Sequence, residues 1–313
     1  MNVLLIGGSG FIGSHLKDRL VAAGHRVRSL DRVPERFRGD PPHVEHLYGE
    51  VGNETLLDAA LDRVDAVLHL AWCTVPKSAE DDPTFDIQSN LVLTTEILKG
   101  VVRHRVPHVV FFSSGGTVYG PTAREPILET HATQPICSYG VTKLAAEKYL
   151  AVFARRHGFR ATVLRCANPY GDRQDPRGAQ GAITVFLHRA ACGDAIRIWG
   201  DGEVVRDYIH VDDLVAAVAA SIDATPQPLR VLNIGSGQGA TLNQIVEHVR
   251  AASGRPVEVI HEPGRAVDVP WSVLDVRAAG RELGWHPTVD LAAGVSRTWR
   301  WICGEDLRPA TPR

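Results

Sequence analysis

An apolar pentapeptide, Asn2-Val3-Leu4-Leu5-Ile6, runs straight into Gly7-Gly8-Ser9-Gly10-Phe11-Ile12-Gly13 and then into a helical stretch ending near Ala23. Few features restrict a fold more. A short apolar run without polar alternation suits a strand buried on both faces of a parallel sheet. The glycines meet three demands: a tight turn, close approach of the backbone to a pyrophosphate, and a helix packed closely on its strand. Free amides at the helix start then hold the phosphates. The run reads as Gly7-x-x-Gly10-x-x-Gly13 or as Gly8-x-Gly10-x-x-Gly13, and both registers stand. A glycine triplet alone is weak evidence. Here a second apolar strand, Arg26-Val27-Arg28-Ser29-Leu30, ends in Asp31, eighteen residues after Gly13 and near the spacing of a ribose-binding acid.

Such a carboxylate accepts hydrogen bonds from the adenosine ribose hydroxyls and repels the extra phosphate of NADP, so NAD is the expected cofactor. Arg32 is the counter-argument, because an arginine beside the acid serves a 2′-phosphate. The plain reading of Asp31 is a turn residue closing a strand.

Apolar strands continue to alternate with helical patterns: Ala66-Val67-Leu68-His69-Leu70, Val109-Val110-Phe111-Phe112 and Ala161-Thr162-Val163-Leu164. The expected fold class is α/β, a Rossmann-like doubly wound parallel sheet. Regularity breaks in the turn-rich, charged stretch from Asn168 to Gly178, which divides the chain into residues 1–167, binding the dinucleotide, and 168–313, mainly a smaller α/β substrate domain. The two are interleaved, since Val231-Leu232-Asn233-Ile234 reads as one more strand of the first sheet. The last residues, Leu307 to Arg313, read as a frayed tail.

At 313 residues and 44% hydrophobic content the chain has ample material for a core. A net charge of −2 offers no basic face for nucleic acid. The chain opens on a strand rather than a signal peptide, and no apolar run is long enough for a bilayer. A cytoplasmic protein without membrane association is expected. Cys73, Cys137, Cys166, Cys192 and Cys303 are odd in number, widely spaced and without a Cys-x-x-Cys pair, so they read as reduced core thiols. The pairs His43/His46 and His104/His108 each sit beside proline and lack a third ligand, so no metal is expected. Asn53-Glu54-Thr55 matches a glycosylation acceptor that, without a secretory signal, meets no glycosylation machinery.

The chemistry centres on Tyr139-Gly140-Val141-Thr142-Lys143. On a helix, i, i+4 spacing puts phenol and ammonium on one face, where the cation favours a phenolate. At about 4 Å and an effective dielectric of about 20 the attraction is about 4 kcal/mol, or about three pKa units. That brings a tyrosine toward neutrality, where a general base works best. By itself the pattern also describes an ordinary exposed helix face.

Taken in order, Gly7-x-x-Gly10-x-x-Gly13, Asp31, Ser113-Ser114-Gly115-Gly116-Thr117-Val118-Tyr119-Gly120, Tyr139-x-x-x-Lys143, Asn168-Pro169-Tyr170-Gly171 and Arg206-Asp207-Tyr208-Ile209-His210-Val211 resemble the extended short-chain dehydrogenases/reductases of the NAD-dependent epimerase/dehydratase family. Within it the chain looks most like the UDP-glucose 4-epimerase-like nucleotide-sugar enzymes, over nearly its whole length. The resemblance implies oxidation of a nucleotide-diphosphate sugar at C4 with NAD as hydride acceptor. Tyr139 removes the hydroxyl proton, Lys143 anchors the ribose, and the 4-keto sugar turns over before the hydride returns to its other face. It places NAD contacts at Gly7, Gly10, Phe11, Ile12, Gly13, Asp31 and Arg32, at Leu70 and Ala71, and at Ser113, Tyr139 and Lys143. Substrate contacts fall on Thr117, Tyr139, Asn168, Trp199, Arg206, Arg265 and Asp268. The plain alternatives are a structural ion pair for Arg206, a turn starter for Asn168 and a core position for Trp199.

Two departures from the family stand out. Where relatives carry a serine or threonine that bonds the reacting hydroxyl, this chain has Gly115; Ser114 and Thr117 flank the gap, and Thr117 is the preferred substitute. Trp72-Cys73 after Leu70-Ala71 is bulkier than the small residues expected there, and either narrows the pocket or only packs. Gly116 and Thr117 stand where 4,6-dehydratases carry an Asp-Glu pair, which excludes that elimination. An NDP-4-ketohexose reductase using NAD(P)H remains the rival, and a non-catalytic NAD-sensing protein the reading from another class. Amphipathic segments from Ile87 to Val102 and Val141 to Phe153 imply, by the resemblance, a homodimer through a four-helix bundle; the same stripes also suit packing within one subunit.

Overall fold

The computed structural model describes residues 1–36, 39–178, 180–264 and 269–304. Six strands come first: β1 Asn2–Ile6, β2 Arg26–Asp31, β3 Val44–Tyr48, β4 Ala66–His69, β5 His108–Ser114 and β6 Arg160–Cys166. Three more, β7 Asn168–Tyr170, β8 Ile196–Trp199 and β9 Val205–His210, belong to smaller sheets, and β10 Leu229–Ile234 returns to the first. The large sheet has seven parallel strands in the order β10-β6-β5-β4-β1-β2-β3. The order reverses at β1, so a crevice opens beyond the carboxyl ends of β1 and β4, where doubly wound sheets bind ligands.

The alternation of the strands explains the layers. Val3, Leu5, Leu68, Val110, Phe112 and Leu164 face one way, into a core closed by α1 (Phe11–Ala22) and a later helix at Val211–Asp223. Leu4, Ile6, Val67, Val109, Phe111 and Val163 face the other way, under α2 (Glu54–Leu61) and two helices at Leu93–Arg103 and Ser138–His157. A sheet buried on both faces needs apolar residues at every position, which is why these strands read as unbroken runs.

Two short helices, α3 (Pro76–Asp81) and α4 (Pro83–Asp86), lead into a π-helical turn at Ile87–Val92, then α5 (Leu93–Arg103) and α6 (Ser138–His157). The first amphipathic segment is therefore one wide turn followed by a regular helix. The remaining elements are α7 (Ala182–Cys192), α8 (Val211–Asp223), β11 (Gly239–Thr241), α9 (Leu242–Ser253), β12 (Val259–Glu262), β13 (Trp271–Ser272), α10 (Arg277–Leu283) and α11 (Leu291–Gly304). Strands β11, β9 and β13 form a small sheet joined by β7, and β8 pairs with β12. A third core of Ile183, Phe186, Leu187, Ile245, Val249 and Val295 holds this part together.

Several expectations change. Cys137 and Cys166 are buried, but Cys73, Cys192 and Cys303 are exposed, so the cysteines are not uniformly core thiols; their helix ends and loop positions keep them at the surface. Asn53 caps α2, its side chain accepting the Leu56 N–H at 3.2 Å, which gives the glycosylation-like triplet a helix-starting role. The tail from Leu307 to Arg313 lies outside the described residues. No described helix is long and apolar enough to cross a membrane.

Candidate active site

Gly7 makes the turn after β1 at φ +90°, and a Cβ there would lie 2.6 Å from the Ala71 amide nitrogen. A Cβ on Gly13 would lie 2.6 Å from Gly8 Cα, and one on Gly8 would run into Ser29 of β2. Gly7 therefore supplies the turn, while Gly8 and Gly13 supply the close packing of α1 on the sheet. Gly10 differs. A Cβ there meets nothing of the chain closer than 3.6 Å, so its bare backbone faces the space ahead of α1. That helix has no side-chain cap and no acid in its first turn, which leaves the amides of Phe11, Ile12 and Gly13 for an anionic ligand. Asp31 lies over the same turn: Oδ2 accepts the Ser9 N–H at 2.9 Å and Oδ1 accepts the Arg32 N–H at 2.7 Å. Leu70 and Ala71 both donate their N–H to Ile6 O, curling the chain after β4 over Gly7. The Arg32 residue is exposed. These residues fit the two phosphates and the ribose of a dinucleotide.

Tyr139 and Lys143 occupy the first turns of α6, at the carboxyl end of β5. Lys143 is 4% exposed; its Nζ donates to Phe112 O at 2.6 Å and lies 3.7 Å from the centroid of the Trp72 ring. The Phe111 and Tyr139 rings lie 5.0 and 5.7 Å away. Here the structure corrects the expectation. Burial raises the Tyr139 phenol above its usual range, and burial pushes Lys143 down to about 7. Shared helical facing was the right premise, but the ammonium is turned toward a carbonyl and an indole, and desolvation outweighs attraction.

The loop after β5 explains the missing side chain at Gly115. A Cβ there would lie 2.5 Å from Leu274 Cδ1 and 3.0 Å from Arg165 O, so Leu274 fills the space a hydroxyl residue would need. A second glycine lets the backbone of Thr117 close on α6: a Cβ on Gly140, next to Tyr139, would lie 2.8 Å from Thr117 O. The Thr117 Oγ1 is buried and has no hydrogen-bond partner among the described residues. Orphaned buried hydroxyls cost about 1–3 kcal/mol and call for an explanation. Ser114 is half-buried, its carbonyl accepting the Val118 N–H at 3.2 Å.

Two buried networks beneath the site escaped the sequence reading. Glu147, one helical turn beyond Lys143, pairs with Arg165 at 2.7 Å and accepts the Ser113 hydroxyl at 2.5 Å. Arg165 also donates to the Tyr119 hydroxyl at 3.0 Å, which in turn donates to Asn233 at 2.7 Å. The Ser113 hydroxyl is thus tied into this network. Asp86 accepts hydrogen bonds from Thr74, Asn90, Ser138 and Thr142, tying α4 to the start of α6. The available signal was i, i+4 spacing, Glu147 to Lys143 and Asn90 to Asp86, in helices that cover the sheet.

On the far side, Asn168 of β7 donates its amide to Asp207 O at 2.9 Å, opposite Tyr208 of β9. Asp207 is bound by the N–H groups of Ser236, Gly237 and Leu274. Arg206 donates to the carbonyls of Val205 and Val269. Trp199 ends β8 at 42% exposure, which removes the core reading. Arg265 and Asp268 lie outside the described residues.

Comparison with known proteins agrees with this geometry. The pattern of the NAD dependent epimerase/dehydratase family matches residues 3–235. The chain is 33% identical to a UDP-glucose 4-epimerase of Mycolicibacterium smegmatis, covering 95% of this chain and 97% of that protein. It is 29% identical to a dTDP-4-dehydro-6-deoxyglucose reductase of Escherichia coli, over 94% and 95%. A crystal structure of UDP-glucose 4-epimerase with UDP-glucose from Thermotoga maritima superposes with a TM-score of 0.91 at 35% identity, covering 97% of this chain and 99% of that one. With the glycine turn, the acid closing β2 and the Tyr139/Lys143 pair placed around one crevice, the chain belongs to the NAD-dependent epimerase/dehydratase family of extended short-chain dehydrogenases/reductases.

Proposed function

We propose that this protein is an NAD-dependent nucleotide-sugar 4-epimerase of the UDP-glucose/UDP-galactose type. The observation that carries the reading is the buried Thr117 hydroxyl without a partner among the described residues, in a loop whose backbone closes on Gly140 next to Tyr139, with no carboxylate at 116 or 117 to drive an elimination. NAD, when bound, supplies the hydride acceptor and a positive ring that favours the phenolate. The amides at the start of α1 hold its phosphates and Asp31 its adenosine ribose. Tyr139 takes the proton of the C4 hydroxyl and later returns it. Lys143 is the cation of the site and holds the second ribose. Thr117 donates to or accepts from the reacting oxygen and fixes its position. Asn168, Trp199, Arg206, Arg265 and Asp268 receive the nucleotide diphosphate and the sugar, arginine being suited to bidentate phosphate contacts.

In this reading residues 1–167 with the returning β10 form the cofactor half, and 168–313 mainly the substrate half. The protein works in the cytoplasm as a homodimer. Support for the dimer comes from Val141, Tyr149 and Val152 on α6 and from Phe85, Ile87 and Val92 near α5, all exposed; Val152 reaches 60%. Sedimentation of the purified protein checks it.

The main test is to denature the purified protein and measure released nicotinamide, then to follow UDP-glucose and UDP-galactose interconversion by NMR. Stoichiometric NAD and interconversion without added cofactor are expected. An empty protein that consumes added NADPH would instead mark a 4-ketoreductase, the activity named for the Escherichia coli relative. Within the site, Thr117→Val should lower turnover by about 10²-fold while Ser114→Ala changes it a few-fold at most; equal small effects would remove Thr117 from the role.

A further inference from the structure

Trp72 stands where the chain leaves β4 and enters the crevice, and nothing in the proposed reaction uses it. Its ring faces the Lys143 ammonium at 3.7 Å, meets Tyr139 nearly edge-on with centroids 6.1 Å apart and an interplanar angle of 73°, and touches Phe111 at 5.9 Å. The indole N–H is buried without an acceptor among the described residues, so no internal hydrogen bond explains its placement. The face of the ring does.

A buried ammonium has three donors to satisfy and a charge to balance. Lys143 uses one donor on Phe112 O. The groups facing it from each neighbouring element are already committed or uncharged. From β4, His69 bonds Thr94, and burial with the Lys143 charge holds its pKa down to about 3. From β6, burial raises the Cys166 thiol to about 12. From α4, Asp86 receives four side-chain donors. From α6, Glu147 is engaged by Arg165, and Tyr139 keeps its proton. The nearest uncommitted negative potential is the π face of Trp72, and a desolvated cation over tryptophan is the strongest form of that contact.

We infer that Trp72 is a positioning residue for Lys143, its indole face holding the ammonium in place and setting the pH range over which the lysine stays charged. The inference rests on Lys143 as the working cation of the proposed reaction, but it is testable without turnover. The chain has five lysines, so NMR of protein labelled at lysine Cε, with Lys143→Met assigning the resonance, reads the Lys143 titration directly. Trp72→Leu removes the π face and should lower the midpoint by roughly one pH unit, whereas Trp72→Phe, which restores a ring, should recover at least half of that shift. Should the leucine variant fail to fold, Trp72→Met supplies an unbranched apolar side chain with the same expectation. A midpoint unchanged or raised in the leucine or methionine variant overturns the inference. The alkaline limb of turnover should move with the titration. A limb that stays while the titration shifts would count against Lys143 in the reaction and leave its positioning by Trp72 intact.

Discussion

Lys143 and Arg165 are two buried cations on neighbouring elements, each 4% exposed, and they are solved in opposite ways. Arg165 gives its fork to Glu147, with Nη2 to Oε2 at 2.7 Å and Nε to Oε1 at 3.1 Å, and a further donor to Tyr119. Burial works against its charge, but the bonds to Glu147 more than offset this, and its pKa is raised. Lys143 has a carbonyl and three rings and no ion pair among the described residues, and burial brings it down to about 7. Only one turn of α6 separates Lys143 from the carboxylate that Arg165 has taken. A charge with its counter-ion in place is scaffold. One kept in an uncharged cage still has interactions to make, and such groups collect at active sites.

Exchanging the two roles should break the comparison most visibly. Lys143→Met should cost turnover by up to about 10⁴-fold while leaving the urea midpoint unchanged or higher, since a buried uncompensated charge is replaced by an apolar chain of similar length. Arg165→Met should do the reverse to stability, losing about 3–5 kcal/mol because Glu147 is left buried and unpaired. Arg165→Met with Glu147→Leu should recover most of that loss. If Lys143→Met proves as destabilising as Arg165→Met, the lysine is a scaffold charge too.

The two cations were unequally legible in the sequence. Lys143 was found because Tyr139 lies four residues before it and because six motifs stand in order. Arg165 and Glu147 lie on different elements eighteen residues apart, and only the pairing of β5 with β6 beneath α6 brings them together. The same division runs through the site. The glycine turn and Asp31 were legible because one strand, one turn and one helix carry them, and the parallel sheet follows from unbroken apolar runs. What local sequence did not carry was the separate need for Gly7 and Gly8, set by contacts with Ala71 and Ser29, and the reason for Gly115, supplied by Leu274 from 159 residues away. The Tyr139 phenol was misjudged for a related reason. Pairwise attraction is readable from spacing, whereas the larger desolvation penalty depends on what covers the pair.

The pH slope of stability is the sharpest test of how Lys143 is held. In the unfolded chain a lysine titrates near about 10.4, and in the folded protein burial brings this one to about 7. Between those values the unfolded state binds the extra proton, so stability must rise with pH across that window. Below it Lys143 is charged in both states and contributes no slope. Urea titrations of nucleotide-stripped protein from pH 6 to about 10, plotted as wild type minus Lys143→Met, should therefore climb by up to about 1.4 kcal/mol per pH unit. The corresponding difference for Arg165→Met should stay flat in this range, because a guanidinium is charged throughout in both states. A flat Lys143 difference would mean that the carbonyl of Phe112 and the face of Trp72 compensate burial completely, and the distinction between the two cations would then lie in their partners' chemistry rather than in their ease of losing a proton.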